Sequence, residues 1–375
     1  MKLAFVGCGF VADYYVRTLE NYPHLELLGV MDRDRARADK FSAFYGVPTY
    51  GDLDQLLKDD RVDLVVNLTN PRSHFEVSQA ALAAGKHVYS EKPLAMAYDD
   101  ALALVEQAEA SGLCLSSAPC SLLGETAQGL WKALRENAIG QVYLTYAEMD
   151  DGLVHRMPYE HWKSESGTPW PYKDEFEVGC TLEHAGYYLT WLPAFFGPAR
   201  SVTAFSACLV KDKKTAVLLE QNAPDFSVAC IQFESGMVAR LTCGIVAPHD
   251  HELRIFGEEG VMYMDDCWDY RSPIHLKRFL KIRRKMLLNP LAKKYPLPQS
   301  PYGKLTDRGA QAMDFCRGIA EMADAIAAGR SPRLSARYCL HVNEMVLAIQ
   351  NALDSSAPYH LKSTFDPIAP MPWAE

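Results

Sequence analysis

The feature that most constrains the fold is a glycine turn between the first strand-like segment and the first helix-like segment. The apolar run Lys2–Gly7 leads directly into Gly7-Cys8-Gly9-Phe10-Val11-Ala12, and a segment of helical period follows. Gly7 permits a tight turn, Gly9 lets the backbone approach a ligand, and Ala12 allows the helix to pack closely on the strand. Free N–H groups at a helix N-terminus bind phosphate. This GxGxxA pattern therefore predicts a dinucleotide site.

A second signal lies where the next strand-like run ends, at Asp32. A carboxylate at this place binds the hydroxyls of an adenosine ribose and repels the 2′-phosphate of NADP, so Asp32 favours NAD. Arg33 follows directly, and its guanidinium could accept that phosphate. We therefore expect NAD and leave NADP open. The alternative is a glycine turn in an unrelated α/β protein.

Strand-like runs alternate with segments of helical period over residues 1–120, which is typical of βαβ units and a parallel sheet. In residues 121–375 strand follows strand, and Ser235-Gly236 looks like a hairpin turn, which predicts a mostly antiparallel sheet with helices on one face. We expect an α/β protein with an N-terminal Rossmann doubly wound parallel sheet in 1–120. A substrate-binding α+β domain would occupy 121–375, and its open sheet face would form a homo-oligomer. The predicted strands are Lys2–Gly7, Leu25–Asp32, Asp63–Thr69, His87–Glu91, Leu113–Pro119, Val142–Asp151, Ser201–Val210, Phe226–Phe233, Met237–Val246, Glu252–Gly257 and Val261–Asp265. The predicted helices are Phe10–Asn21, Asp34–Tyr45, Ser73–Ala84, Tyr98–Ser111 and Thr126–Asn137.

Composition argues against several classes of function. The net charge of −9 argues against nucleic acid as the main partner, because neutralising phosphates requires a basic surface. The ten cysteines lie scattered without a CxxC pair, as expected of reduced, mostly buried thiols in a cytoplasmic protein. The apolar run up to Ala12 is short and is interrupted by Asp13, unlike a secretion signal, and no stretch approaches the ~20 apolar residues of a membrane span. We expect a cytoplasmic protein that binds a small molecule.

Two polar segments lie at the ends of predicted parallel strands, where ligands of doubly wound sheets bind. One is Thr69-Asn70-Pro71-Arg72-Ser73-His74, and the other is Glu91-Lys92-Pro93. Together with the glycine turn, they make the chain resemble the glucose-fructose oxidoreductase, inositol dehydrogenase and MocA (Gfo/Idh/MocA) family, in which a TPxxxH-like segment and an EKP tripeptide occur at these places. The resemblance covers the N-terminal domain closely and continues more loosely to the final helices.

The resemblance implies roles for these residues. The family's EKP lysine lies beside the nicotinamide and the reacting carbon of a sugar-like substrate, which implies that Lys92 is catalytic. A cation there stabilises developing alkoxide character as hydride leaves a carbinol carbon. The cofactor's nicotinamide ribose side would contact Thr69, Asn70, His74 and Glu91. The alternatives are a surface Lys–Glu pair at a turn and, for His74, a residue that caps a helix.

The segment from Gly179 to Tyr188 resembles the family's substrate helix, whose usual pattern is a glycine pair, a leucine and then D-x-G-x-H. Aligned on Gly186, His184 takes the place of the aspartate and Tyr188 that of the histidine. Their i,i+4 spacing places both on one helix face, and a lysine nearby lowers the pKa of a phenol, so that it can exchange a proton. We predict both as acid/base and substrate-binding residues. A packed aromatic and a satisfied core histidine are the alternatives.

Tryptophans and polar groups occupy the segment before this helix. His155, Trp162 and Trp170 fit a carbohydrate platform, because a flat aromatic face packs on the apolar face of a pyranose. The same tryptophans could equally pin a long loop.

Charge is segregated in the second domain. The basic insertion 271–304 carries ten Lys or Arg and no Asp or Glu. Within it, residues 277–288 read KRFLKIRRKMLL, whose apolar members can gather on one face of a helix with the cations opposite. Such a helix suits peripheral contact with an anionic membrane or an acidic partner. A solvated insertion and an oligomer arm are the alternatives.

These observations predict reversible hydride transfer between NAD(P) and a secondary hydroxyl of a sugar, sugar derivative or polyol. Two alternatives remain open. A glycoside hydrolase or eliminase could retain NAD and oxidise its sugar transiently, or a catalytically silent sensor could bind the dinucleotide to control a partner. No metal is expected.

Overall fold

Five parallel strands form the N-terminal sheet of the computed structural model, which describes residues 1–303, 312–352 and 357–375. Their spatial order is β2-β1-β3-β4-β5. A single parallel bridge between Val30 and Thr49 extends the sheet beyond β2. Counting that bridge as a strand gives the doubly wound order 3-2-1-4-5-6 and confirms the expected Rossmann sheet. The strands are β1 Lys2–Val6, β2 Glu26–Met31, β3 Leu64–Asn67, β4 His87–Ser90 and β5 Leu115–Ser117.

The helices of this domain follow from local signals in the sequence. Asp34 caps its helix by accepting hydrogen bonds from the N–H groups of Ala36 and Arg37, and Gly46 ends the same helix with a left-handed φ of 69°. The first helix has no side-chain cap, so its N–H groups stay available beside the glycine turn. The helices are α1 Ala12–Leu19, α2 Arg35–Tyr45, α3 Leu53–Leu57, α4 His74–Ala83 and α5 Tyr98–Ala110.

Ten strands of the described chain form the second sheet. Neighbouring strands are antiparallel except for β6 and β9, which pair in parallel. The predicted hairpin turn is present, with Gly236 at a φ of 86°. The mostly antiparallel second sheet is therefore confirmed. Its strands are β6 Val142–Asp150, β7 Ala199–Ala207, β8 Phe226–Phe233, β9 Val238–Gly244, β10 Leu253–Gly257, β11 Gly260–Met264, β12 Ile274–Ile282, β13 Lys285–Leu288, β14 Lys293–Tyr295 and β15 Tyr359–His360.

Helices cover one face of this sheet and leave the other open. Ala147, Leu241 and Ile255 belong to the buried face. Tyr146 and Phe256 lie on the opposite face, where both are only partly buried. This domain and the C-terminal segment contribute α6 Glu125–Arg135, α7 Tyr172–Val178, α8 Gly186–Leu189, α9 Leu192–Phe196, α10 Arg317–Ala327 and α11 Ala336–Gln350.

The C-terminal helices return to the N-terminal sheet. The Cys316 N–H donates to the Thr18 hydroxyl at 3.1 Å, and the Tyr22 hydroxyl donates to Asp314 at 2.6 Å. Ile319 and Met322 of α10 belong to the same apolar cluster as Phe5. The division of the chain at residue 120 stays a prediction, but the packing of the first domain includes residues from the far end of the chain.

The basic segment 277–288 does not form the predicted helix. Residues 277–282 lie in β12 and residues 285–288 form β13, and the two strands pair as a hairpin in which Leu280 faces Leu287. Side chains alternate across a strand with period two, so apolar and cationic residues are mixed on both faces. The amphipathic surface expected of a helix is therefore absent. Lys304, the last residue of the insertion, lies outside the described residues.

Two smaller expectations concern cysteines and membranes. All ten cysteines are unpaired and seven are buried, as expected. Among the described residues, no helix combines the length and the apolar character needed to cross a bilayer.

Candidate active site

The glycine turn follows the end of β1, next to the end of β3. From β1 the strand order runs outward to β2, and from β3 it runs outward in the opposite direction to β4, so this is the topological switch point of the sheet. Gly7 has a φ of 103°, and a Cβ there would lie 2.4 Å from the carbonyl oxygen of Leu68, just beyond β3. At Gly9, by contrast, a Cβ would meet no atom within 4 Å. The turn therefore requires glycine at position 7 for packing, and it leaves open space at position 9 for a ligand.

Asp32 lies across this turn with both carboxylate oxygens held. One oxygen accepts the Cys8 N–H at 2.9 Å, and the other accepts the Asp34 N–H at 2.8 Å. Arg37 approaches the first oxygen at 3.5 Å, whereas the predicted neighbour Arg33 is exposed. The carboxylate is thus fixed beside the turn, and Arg37 is a second cation that the sequence did not reveal.

Cys8 is buried in the turn, whereas Phe10 and Val11 are partly exposed. The Cys8 side chain is buried, and burial together with the charge of Asp32 raises the pKa of its thiol to about 12. The thiol therefore stays protonated at neutral pH. Phe10 and Val11 are partly exposed at the start of α1, where Phe10 packs edge-on against Tyr14.

The loop after β3 is held from beneath by His74. This histidine is fully buried, with Nδ1 2.7 Å from the carbonyl oxygen of Pro93 and Nε2 3.0 Å from that of Thr69. Burial lowers its pKa. His74 therefore ties the two predicted cofactor loops together, and its ring does not face the crevice. The Thr69 hydroxyl also points inward and donates to Asn67 at 2.7 Å.

Asn70 differs from its neighbours because its side-chain Oδ1 is buried and has no hydrogen-bond partner in the described part of the chain. Such an atom is costly unless a ligand or water satisfies it. Together with the open space at Gly9, the uncapped N-terminus of α1 and the fixed Asp32, it indicates that this crevice fits a dinucleotide.

Glu91 anchors the tripeptide that carries Lys92. Its carboxylate is buried, accepts the Tyr15 hydroxyl at 2.7 Å and accepts the backbone N–H of Lys92 at 3.0 Å. Both oxygens are therefore used to shape the turn.

The Lys92 ammonium forms an ion pair with Glu183. Burial lowers the pKa of Lys92, but the carboxylates of Glu183 and Glu91 outweigh that effect and raise it. Burial raises the pKa of Glu183, and Lys92 more than reverses this, so that the pKa is lowered. At neutral pH the pair is charged, and Lys92 is an ammonium with N–H groups left for a substrate oxygen.

Tyr187 lines the same cavity as Lys92 and Glu91. Among the described residues, its hydroxyl has no hydrogen-bond partner, which leaves it available to a ligand. Burial, followed by the charge of Glu91, holds the pKa of Tyr187 well above 10, so the phenol is protonated at neutral pH.

Tyr188 points elsewhere. Its hydroxyl donates to the carbonyl oxygen of His251, and its ring packs edge-on against Trp191. The expected lowering of its pKa by a lysine is not found, because burial raises that pKa well above 10. Glu183 and Tyr187, which are also spaced i,i+4, lie beside the lysine instead.

The alignment on Gly186 selected His184 and Tyr188, each one residue beyond the pair that lies beside Lys92. The segment Thr181–Ala185 forms a π-helical turn, a feature frequent at functional sites. Anchoring the family pattern on its carboxylate rather than on its glycine would have selected Glu183 and Tyr187.

His184 lies on the neighbouring side of the turn. Its Nε2 is 3.0 Å from Glu175, and its ring tilts against Trp268 with 6.2 Å between the centroids. Burial lowers its pKa, but Glu175 outweighs this and raises the pKa to about 9. His184 is therefore a cation at neutral pH and cannot accept a proton there.

The tryptophan loop is fastened to the N-terminal domain. Trp162 and Trp170 contact each other with 5.0 Å between ring centroids, and the loop between them binds Asp13 through the Ser166 N–H at 2.6 Å. These contacts favour loop pinning, and the carbohydrate platform stays a prediction. His155, at the start of the segment, is partly buried, and its Nδ1 has no hydrogen-bond partner within residues 1–303, 312–352 and 357–375.

Two family models match the chain. One, described as an oxidoreductase family with an NAD-binding Rossmann fold, matches residues 1–118. The other, described as the GFO/IDH/MocA C-terminal domain, matches residues 128–263. Together they cover well over half of the sequence.

Individual relatives are distant, but each covers most of this chain. A rabbit (Oryctolagus cuniculus) trans-1,2-dihydrobenzene-1,2-diol dehydrogenase is 24% identical over 316 residues, which are 83% of this chain and 85% of the relative. An oxidoreductase from Agrobacterium radiobacter, solved with NAD+, L-tartaric acid and magnesium, superposes with a TM-score of 0.76 at 17% identity, covering 96% of this chain and 98% of that one. An aldose-aldose oxidoreductase from Caulobacter crescentus, complexed with glycerol, gives 0.74 at 18% identity, covering 96% and 99%.

The glycine turn, the EKP lysine and both matching domains agree with one another. They confirm the expected fold and an NAD-binding Rossmann domain. The chain belongs to the Gfo/Idh/MocA family of oxidoreductases.

Proposed function

We propose that this protein is an NAD-dependent dehydrogenase or reductase that acts on a secondary hydroxyl or ketone of a sugar, sugar derivative or polyol. The observation that carries the proposal is the Lys92 ammonium, which is paired with Glu183 at the mouth of the dinucleotide crevice and lies beside the free hydroxyl of Tyr187.

The residues divide the chemistry between them. NAD, when bound, supplies the hydride acceptor. Lys92 donates a hydrogen bond to the substrate oxygen and stabilises its negative charge as the C–H bond breaks. Glu183 keeps Lys92 protonated, and Glu91 fixes the backbone from which Lys92 extends. Tyr187, protonated at neutral pH, donates its phenolic proton to that oxygen in the reducing direction. In the oxidising direction Tyr187 relays the proton: it takes the hydroxyl proton of the substrate as its own phenolic proton passes to solvent water.

The environment of Asp32 supports NAD over NADP. Its carboxylate is held in place by two backbone N–H groups and would repel a 2′-phosphate. Arg37 is already directed at Asp32, while Arg33 points into solvent. Rearrangement of these arginines would be needed to bind the phosphate.

The names of the relatives support the substrate class. The rabbit enzyme is named for a compound with hydroxyls on adjacent carbons, and the Caulobacter enzyme is named for aldoses. Both names refer to compounds that carry several hydroxyl groups, which supports a sugar or polyol as the substrate class of this chain.

The test is a turnover assay with a panel of aldoses, inositols and sugar nucleotides, in which NADH formation is followed by absorbance. We expect steady NADH formation with a member of the panel. Lys92→Ala should lower kcat/KM by about 10²–10⁴-fold, with little change in the Kd for NAD. Lys214→Ala, which removes an exposed lysine, is the matched control.

Each alternative function has its own outcome. Sugar release from a glycoside without net NADH would indicate the NAD-retaining hydrolase. Dinucleotide binding without any turnover would indicate a sensor, and equal turnover in Lys92→Ala would overturn the assignment of Lys92.

We also propose that the open face of the second sheet joins copies of the chain. Phe205 is 52% exposed there, and Tyr146 lies beneath the Arg240 guanidinium at 4.1 Å. Phe205→Glu should shift the sedimentation coefficient toward the monomer. An unchanged coefficient, or a monomeric wild type, would contradict this proposal.

A further inference from the structure

We propose that Asp151, His249 and His251 form a binding site for one divalent transition-metal ion of the zinc class. The site lies at one end of the second sheet and is separate from Lys92. Because it requires neither a dinucleotide nor turnover, it stands or falls independently of the proposed function.

The backbone holds the three residues together. Asp151 follows β6, and the two histidines precede β10. Asp150 and Asp250 exchange both backbone hydrogen bonds, at 3.0 and 2.8 Å, immediately beside the site. Residues adjacent to this bridge therefore have a fixed relative position.

The spacing of the ligand atoms fits one ion. Asp151 Oδ1 lies 3.7 Å from His249 Nδ1 and 3.8 Å from His251 Nε2, and the two rings are 4.1 Å apart at their centroids. Both distances exceed a hydrogen bond. All three ligand atoms lie within 4.8 Å of one another, so shifts of up to about 1.5 Å would bring them to the spacing of about 3.3 Å around a tetrahedral zinc.

His251 provides the strongest indication of a ligand site. It is 1% exposed, and its Nε2 has no hydrogen-bond partner among the residues that the structure describes. Its Nδ1 lies 3.2 Å from Asp266 Oδ1. A carboxylate that accepts the Nδ1 proton orients the ring and leaves the Nε2 lone pair for a metal, which is the usual outer arrangement of a histidine ligand.

The chemistry of the ligands selects the ion. Two imidazoles and one carboxylate suit zinc, cobalt or iron, whereas magnesium prefers oxygen ligands and retains its waters. Asp150, Asp250 and Asp266 add negative charge nearby, which favours a cation. Three protein ligands leave one position open for water or a substrate oxygen.

Trp268 connects this site with the proposed active site. Its ring lies 4.7 Å from His251 and 5.7 Å from Tyr187, measured between centroids. The Tyr188 hydroxyl, which holds the His251 carbonyl, extends the same connection. An ion bound by Asp151, His249 and His251 would therefore lie close to the helix that carries Tyr187.

A second grouping shares His251 but fits less well. His251, Asp266 and Cys267 also lie close enough to hold an ion. However, ligation through Asp266 would compete with its contact to His251 Nδ1, and Cys267 is fully buried with its thiol near Met149. We therefore assign the ion to the first set.

The experiment uses the full chain without a histidine tag, stripped with a chelator and titrated with Co2+ and Zn2+. We expect one saturable equivalent, with visible cobalt absorption and no sulfur charge-transfer band. Asp151→Asn and His251→Gln should weaken zinc binding about 100-fold, and Asp266→Asn about 10-fold or more, as for removal of an outer partner. His161→Gln, which alters an exposed histidine, is the matched control.

His249 keeps the test decisive if the buried variants fail to fold. Its side chain is 52% exposed, so His249→Gln should leave the circular dichroism spectrum unchanged while weakening zinc binding. Absence of stoichiometric binding, or unchanged binding in His249→Gln, would overturn the proposal. So would a sulfur band that disappears in Cys267→Ser, because it would move the ion to the second grouping.

Discussion

Lys92 and Arg317 are both cations paired with carboxylates inside the protein, but their surroundings differ. Arg317 is fully buried and contacts Glu125 at 2.7 Å and Asp314 at 3.4 Å, with the rings of Tyr270 and Tyr302 packed on its guanidinium. Lys92 keeps 19% of its side chain exposed, and Glu183 is its only hydrogen-bond acceptor among the described residues. Arg317 is enclosed by the protein, whereas the ammonium side chain of Lys92 is partly accessible.

The difference separates a structural ion pair from a chemical one. Asp314 also accepts the Tyr22 hydroxyl, so the Arg317 cluster links the first domain to α10 and α6. Glu183 and Lys92 likewise come from different domains, but their pair opens toward the crevice. Replacing Arg317 should therefore lower the stability of the fold, whereas replacing Lys92 should lower turnover.

The largest expected effect is on stability. Arg317→Met leaves Asp314 buried without a cation and leaves Glu125 with Arg271 as its remaining cation. Removing one partner of a buried pair costs about 3–5 kcal/mol. Urea denaturation of the purified protein would measure the loss. Arg337→Met breaks an exposed pair with Glu109 and should cost at most about 1 kcal/mol. Equal losses in both variants would remove the distinction between the enclosed and the open cation.

The next effect is on turnover and separates two adjacent tyrosines. Tyr187→Phe removes the proposed proton donor and should lower kcat by about 10²-fold, with unfolding unchanged. Tyr188→Phe leaves the His251 carbonyl unpaired and should cost about 1–3 kcal/mol of stability while kcat stays within a few-fold. The reverse result would restore Tyr188 to the catalytic role that the sequence pattern predicted.

The N-terminal half of the site could be predicted because its signals are local. Gly7, Asp32 and Lys92 follow directly from strand ends, and the position of a strand end fixes where such a residue lies in the sheet. The pairing of Arg317 with Glu125 could not be predicted, since the two residues are 192 positions apart and only the return of the chain brings them together.

Two departures of the structure from the sequence expectations have the same physical origin, an ambiguous register. In 179–188 the glycine and the acid–base pair offered different alignments, and only packing showed that Glu183 meets Lys92. In 277–288 the spacing of apolar residues is compatible with a helix as well as with a strand. The segment forms a strand because β12 pairs with β11. Local sequence does not contain the partner that resolves such a choice.

The smallest expected effect is a pH shift in Glu183→Gln. Lys92 has a raised pKa in the folded protein, so its charge is complete below its ordinary value near 10.5 and is lost as pH rises through the folded value. Without Glu183, burial acts with less opposition and lowers that pKa. The alkaline limb of kcat against pH should therefore move to lower pH, while Glu183→Asp, which keeps the charge, should restore it. If the alkaline limb does not move in Glu183→Gln, other groups in the crevice keep Lys92 protonated and the ion pair with Glu183 does not. Lys92 and Arg317 would then differ only in their exposure.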